Sequence, residues 1–253
     1  MLEELTSQVF WIGLLKIIGV NLILSGDNAV VIALAARSLP QRQQKAAVLW
    51  GSGAAVLMRI VLTIFAVALL TLPWLKLVGS LLLFWIGIKL LLPEEGDEDI
   101  SASDNLISAI KTILIADLVM SIDNVIAVAA AAQGSMTLLI LGLAISIPLV
   151  IFGSTLLLHL MERWPIIITI GGGLLGFVAG EMLVTDPALH GWLAGLGVEF
   201  DGEKPKVGGL SLEVLCGLVG AVIVIAAGTF IGKRRAMKAA VHEAAVEVDR
   251  PKS

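Results

Sequence analysis

Two stretches of this sequence carry residues whose type and spacing suit the holding of a cation. Asn21-x-x-x-Ser25-Gly26-Asp27-Asn28 returns ninety-six positions later as Asp117-x-x-x-Ser121-Ile122-Asp123-Asn124. Both offer carboxylate, amide and hydroxyl oxygens, and neither contains a thiol or an imidazole. Oxygen-only donor sets suit hard ions such as Mn²⁺, Mg²⁺ or Ca²⁺ rather than Zn²⁺ or Cu⁺. On a regular helix Asn21, Ser25 and Asn28 share one face, as do Asp117, Ser121 and Asn124. Asp27 and Asp123 then point about 100° away from the neighbouring Asn. Either the aspartates serve a second face or the helix unwinds there, which Gly26 favours in the first stretch and Ile122 opposes in the second.

The runs that hold these motifs are apolar, and that sets an energetic problem. A carboxylate in the middle of a membrane span costs roughly 2.5–3.5 kcal/mol, so Asp27, Asp117, Asp123 and Glu181 together represent about 10 kcal/mol of uncompensated burial. A cation between the two stretches would offset it. Interhelical hydrogen bonding alone is the competing reading, at about 0.6–2 kcal/mol per bond. Arg59, central in another apolar run, reads as a counter-ion to one of the carboxylates and cannot itself ligate a metal. Glu181 follows the close-packing stripe Gly172-x-x-x-Gly176-x-x-x-Gly180 and is a candidate supporting or proton-carrying acid. His159, His190 and His242 show no ligand spacing and read as surface or interfacial residues.

The elements that must position these groups follow from hydropathy. Of 253 residues 58% are hydrophobic and 15% charged, with a mean hydropathy of +0.98, more apolar surface than a water-soluble core can hide. Seven apolar segments are long enough to span a bilayer: Ile12 to Ala36, Ala46 to Leu70, Trp74 to Leu92, Leu106 to Ala132, Leu138 to Met161, Ile166 to Val184 and Leu212 to Ile231. Lysine and arginine follow spans one, three and five and crowd the tail at Lys233, Arg234, Arg235 and Lys238, which places the C-terminus in the cytoplasm and, with seven spans, the N-terminus outside. Five tryptophans (Trp11, Trp50, Trp74, Trp164, Trp192) stand at or beyond segment ends, as interfacial anchors do. Glu3 and Glu4 stand where a cleaved signal would be basic, so the first span is read as uncleaved. The single cysteine, Cys216, excludes a disulfide framework and a thiolate metal site. The net charge of -4 argues against a nucleic-acid partner.

The motifs recur in spans one and four, and Gly79, Phe84 and Gly87 of span three are echoed by Gly172, Phe177 and Gly180 of span six. Three spans therefore repeat as three spans. An odd number of spans per unit makes the second unit upside down relative to the first, the plan of secondary transporters with a site near the midplane. The expected fold is an all-α polytopic membrane protein of seven transmembrane helices: two inverted three-helix repeats (1–93 and 106–185), an acidic cytoplasmic linker (94–105), an extracytoplasmic loop (186–210), and a seventh helix with a basic cytoplasmic tail (211–253).

From Asn21 to Ala35 (N-L-I-L-S-G-D-N-A-V-V-I-A-L-A) and from Ala116 to Ala129 (A-D-L-V-M-S-I-D-N-V-I-A-V-A) the chain resembles the TerC family of integral membrane proteins, and within it the YjbE-type branch. The resemblance runs through about Trp11 to Asp186, and G-F-V-A-G-E ending at Glu181 adds to it. It implies export of manganese across the bacterial plasma membrane, with Mn²⁺ as transported substrate, Ca²⁺ or Mg²⁺ less favoured, and no organic cofactor. Carried over by position, the metal residues are Asp27, Asn28, Asp117, Asp123 and Asn124, with Asn21, Ser25, Ser121, Arg59 and Glu181 as supporting groups. Many family members have an acid at the position of Asn21, so here the two half-sites are chemically unequal.

Partners expected are the divalent ion and membrane lipid, and, for the protein itself, a second copy of the chain or a secretion or assembly machinery. The chain is expected not to be an enzyme. An intramembrane aspartyl protease built on Asp27 and Asp123 is opposed by Leu24 where that motif needs Gly, by the absence of tyrosine, and by the Asn after each Asp, although Pro187-Ala188-Leu189 spells a protease-like signature. A non-transporting membrane scaffold is the other alternative, and would not need titratable acids in both spans. No nucleotide-binding G-x-x-x-x-G-K-[ST] occurs, so transport would draw on an exchanged ion.

Overall fold

The computed structural model describes residues 8–24, 26–65, 72–92, 102–132, 135–201 and 204–248. Wherever they are described, the apolar segments are helical apart from the end residues Phe65, Trp74 and Leu92. The first is α1 (Gln8–Leu24) and α2 (Gly26–Ala36); then come α3 (Gln41–Ile64), α4 (Leu75–Leu91), α5 (Ala102–Ala132), α6 (Met136–Arg163) and α7 (Ile166–Val184). After a 3₁₀ turn (Pro187–Leu189), a short α8 (His190–Gly195) leads into three small strands and the long α9 (Leu212–Val248). Five of these helices are long and apolar enough to cross a membrane: Gln41–Ile64, Asn105–Ile122, Thr137–Arg163, Ile166–Val184 and Leu212–Met237. α4, with 17 residues, spans about 25 Å. Large apolar side chains such as Leu57, Leu81, Phe152, Ile170 and Val222 face outward, a liability in water and the normal state in hydrocarbon. The chain is a multi-pass helical membrane protein.

Helix pairing follows a reciprocal scheme. α3 packs on α5, and α6 packs on α1 and α2; α4 packs on α5, and α7 packs on α2; α4 and α7 pack on each other. The contacts also fix direction. Gly51 of α3 lies against Ile113 of α5 while Arg59 meets Asp117 and Ser121, so these two helices run the same way. Gly142 of α6 lies against Ile17 and Gly153 against Ala29, so α6 runs with α1 and α2. In contrast Gly79 faces Met182 while Gly87 faces Leu175, which makes α4 and α7 antiparallel. Ile17 and Ile113 are both fully buried, and each stands ten positions before its motif aspartate. α9 is fastened to α7 and α4, its backbone meeting that of α7 at Gly176 and Gly220, where a side chain on either residue would strike the other's carbonyl.

The region expected from sequence to be a loop, 186–210, contains most of a three-stranded antiparallel sheet, β1 (Glu199–Asp201), β2 (Lys204–Val207) and β3 (Leu210–Ser211), in the order β1-β2-β3. Gly208 and Gly209 both have positive φ, 57° and 83°, and Val207 pairs with Leu210 across them. This is a two-residue hairpin turn of the type that needs glycine. His190, read as a surface residue, is half-buried, its ring 4.8 Å from that of Phe200. α9 also extends well past Ile231. The residues beyond it, rich in Ala, Lys, Arg and Glu, are strong helix formers that hydropathy alone does not register.

Candidate functional site

α2, α3 and α5 bring the candidate residues together. α2 is described from Gly26, and the Asn28 N–H donates to Asp27 Oδ1 at 2.8 Å. Asp27 is half-buried and within electrostatic reach of both Arg59 and Asp117. Asn28, one residue on, is buried at 3% exposure. The first motif therefore presents a carboxylate and an amide on a helix that packs against α5.

The second motif lies within α5, which runs unbroken from Ala102 to Ala132. Here Asp117 accepts from Arg59 Nη2 at 2.6 Å through Oδ1 and from Ser121 Oγ at 3.2 Å through Oδ2. Arg59 Nε donates to the same Ser121 hydroxyl at 3.2 Å, so the three side chains close a ring between α3 and α5. Arg59, Asp117 and Ser121 are 3%, 4% and 0% exposed. A buried pair of this geometry is strong locally, and removing one partner costs about 3–5 kcal/mol because the other charge is stranded. The carboxylate that faces Arg59 is thus Asp117. Thr63, one turn along, returns its hydroxyl to the Arg59 carbonyl at 2.7 Å.

Asn124 is half-buried on α5, and Glu181 is half-buried near the end of α7, where both make interactions within the protein. Ser25 and the side chains of Asn21 and Asp123 lie outside the described residues. Among the described residues no three His, Cys, Asp or Glu side chains converge as a metal cluster. Asp27 and Asn28 lie on α2, which packs against α5, the helix that carries the arginine-bound Asp117.

One polar residue that sequence reasoning passed over is Asp186, fully buried just beyond α7. Its Oδ1 accepts from Trp74 N (3.0 Å) and Ala188 N (2.8 Å), and its Oδ2 from Leu77 N (2.9 Å). It caps the start of α4, where Trp74 has φ 70°, from the far end of the other half of the chain. Burial pushes its carboxyl up, but the backbone N–H groups of Leu77, Ala188, Trp74 and Lys76 outweigh that and hold it below its ordinary value. The signal available in sequence was Asp before Pro at the end of an apolar run, an N-cap pattern.

The family model for "Integral membrane protein TerC family" matches residues 6–236. The Bacillus subtilis (strain 168) protein described as "Uncharacterized membrane protein YjbE" is 46% identical over 185 residues, which cover 73% of this chain and 85% of that protein. A second B. subtilis protein, "Uncharacterized membrane protein YceF", is 28% identical over 151 residues, 56% of this chain and 59% of its own length. No solved structure matches. With the family model covering most of the chain, including both motifs and the helices that carry them, the protein belongs to the TerC family of integral membrane proteins.

Proposed function

We propose that this protein is a secondary transporter that exports a divalent cation, Mn²⁺, across the bacterial plasma membrane in exchange for protons, and that it is not an enzyme. The ion binds between two inverted three-helix halves, with Asp27 and Asp123 as its charged ligands and Asn28 and Asn124 as neutral ones. The observation that carries this reading is the meeting of the two motif helices: α2, which holds Asp27 and Asn28, packs against α5, which holds Asp117 and Asn124. Carboxylates that deep in a membrane protein call for a positive partner. Arg59 answers for one of them.

Reciprocal packing supports the inverted halves. Gly51 against Ile113 is matched by Gly142 against Ile17, and α4 and α7, which would be equivalent, run antiparallel. The directions of α3 with α5, of α6 with α1 and α2, and of α4 against α7 agree with seven alternating spans, α1 and α2 together forming the first and α4 the third. The basic residues of the tail then put the C-terminus in the cytoplasm and the N-terminus outside.

Energetics favour coupling to protons. Expelling a dication against an inside-negative potential costs about 2.3 kcal/mol per charge per 100 mV, hence roughly 4.6 kcal/mol before any concentration gradient. A carboxylate site can hold a dication or protons alternately, so entry of one releases the other. Purified protein in proteoliposomes should move Mn²⁺ faster under an opposing pH gradient and carry protons in return. Flux that follows the Mn²⁺ gradient alone, indifferent to protons, would make the protein a passive channel and end the exchanger reading.

A further inference from the structure

We propose that the sheet between α7 and α9 is a membrane-surface anchor: its apolar face rests on the bilayer, with Val207 and Leu210 set among the phospholipid headgroups beside the start of α9. The partner is a lipid surface, and the anchor is independent of which ion the protein carries.

Strand pairing sorts the side chains into two faces. Residues paired across neighbouring strands share a face, and neighbours along a strand alternate. Phe200 pairs with Pro205 and Val207 with Leu210, so these form one face, and all are apolar. Glu199, Asp201, Lys204, Lys206 and Ser211 form the other, and all are polar. There Lys206 Nζ donates to Asp201 Oδ2 at 2.7 Å on an exposed surface, as expected of a face in water. Antiparallel sheets have this two-sided pattern when the apolar side is covered.

The protein covers only part of that side. Pro205 is buried and Phe200 half-buried, its ring against that of His190, but Val207 and Leu210 are 44% and 62% exposed. The Gly208–Gly209 turn holds those two opposite each other, so the uncovered end is one apolar patch.

The helices place lipid next to it. α7 and α9 run antiparallel, Gly180 meeting Cys216 and Gly176 meeting Gly220, so the end of α7 and the start of α9 lie at the same membrane face. The sheet is tethered to that face at both ends, and β2 and β3 pack on α9. Leu210 stands just before Leu212, the first residue of α9, whose opening turns point Val214, Leu215 and Leu218 outward. The uncovered patch is therefore continuous along the chain with a lipid-facing surface. On the neighbouring α8, Trp192 and Leu196 are also exposed, one turn apart, and tryptophan is a residue that favours the interface. A surface apolar on one side and charged on the other is what lies flat at the boundary between headgroups and acyl chains.

The test is spin labelling of the full-length protein in phospholipid nanodiscs, with Cys216→Ser as background and a nitroxide on one introduced cysteine. Collisions are measured with oxygen, which concentrates in lipid, and with a water-soluble nickel chelate, and thermal melting checks folding. The oxygen-to-nickel ratio at Leu210→Cys should be several-fold above that at Lys204→Cys on the polar face. It should stay below that at Val222→Cys, an outward-facing position further along α9. Val207→Cys, across the turn on the same face, should agree with Leu210→Cys and replaces it if that variant does not fold. Labels at 207 and 210 as open to nickel as the label at 204 would put the apolar face in water. Labels shut off from both reagents would mean that protein covers it, whether a second copy or another chain. Either result overturns the proposal.

Discussion

The two motif regions share most of their residues, yet the protein holds them in different ways. Around Asp27 the chain passes from α1 to α2, and the carboxylate takes a backbone N–H from Asn28. Around Asp117 and Ser121 the helix is continuous, and the carboxylate is secured by side chains from α3 and from its own next turn. The difference is one of partner. Asp27 takes a neutral N–H from the next residue, whereas the Asp117 charge is met directly by a guanidinium from another helix.

The largest effect expected from this contrast is on the equivalent pair Asp27 and Asp123. Asp27→Asn and Asp123→Asn keep side-chain size and remove one charge each, so each should lower Mn²⁺ affinity by about 100-fold or more, above the 10- to 100-fold typical of groups one step removed from a metal. Cells carrying either variant should lose protection against excess Mn²⁺ while the protein still reaches the membrane. A larger loss in Asp27→Asn would show that the first motif holds the ion more strongly, and a larger loss in Asp123→Asn that the second does. Normal protection in both variants would move the site elsewhere.

Much of this arrangement could be read from sequence, and the limits of that reading are physical. Ile166–Val184 and the start of α9 at Leu212 follow from hydropathy alone, because the bilayer imposes one length and one composition on a span. The motif pairing was legible for a related reason: charged groups are so costly in hydrocarbon that their recurrence stands out. Arg59 was recognisable as a counter-ion, but its partner was not. That choice depends on the register between α3 and α5, which is set eight residues earlier where Gly51 admits Ile113. The sheet at 199–211 and the reach of Asp186 to α4 were hidden for the opposite reason. Outside the hydrocarbon, backbone groups have water as an alternative partner, and sequence there constrains structure less.

A smaller effect tests whether the two halves are packed as equivalents. A methyl group added at Gly51 would lie 2.8 Å from Ile113 Cδ1, the movable tip of that side chain, while at Gly142 it would meet Ile17 at Cγ2 and Cβ, close to the backbone. Overpacking of this kind costs about 1–3 kcal/mol. Both Gly51→Ala and Gly142→Ala should lower the melting temperature in detergent, Gly142→Ala by more. Ile113→Val, which removes Cδ1, should relieve Gly51→Ala, whereas Ile17→Val keeps Cγ2 and should not relieve Gly142→Ala. If neither glycine tolerates alanine less well than an outward-facing position does, the reciprocal packing contributes nothing to stability.

The smallest effect separates helices α4 and α7 at their starts. α7 begins after Pro165 with no side-chain cap, whereas α4 is capped by Asp186, which takes the N–H groups of Trp74 and Leu77. Loss of a cap costs about 1 kcal/mol, near the middle of the usual 0.5–2 kcal/mol. Asp186→Ala should therefore lower stability by about that amount at neutral pH. The sign of the pH dependence follows from the carboxyl being held below its ordinary value near 3.8. A carboxylate with a lowered folded-state pKa contributes its full stabilisation above the unfolded-state value and loses it as pH falls through the folded-state value. The gap in melting temperature between the unaltered protein and Asp186→Ala should thus be constant from neutral pH down to about 4 and narrow below that. A gap that closes between pH 7 and 5 would mean that a different group is titrating and that the cap on α4 does not depend on the Asp186 charge.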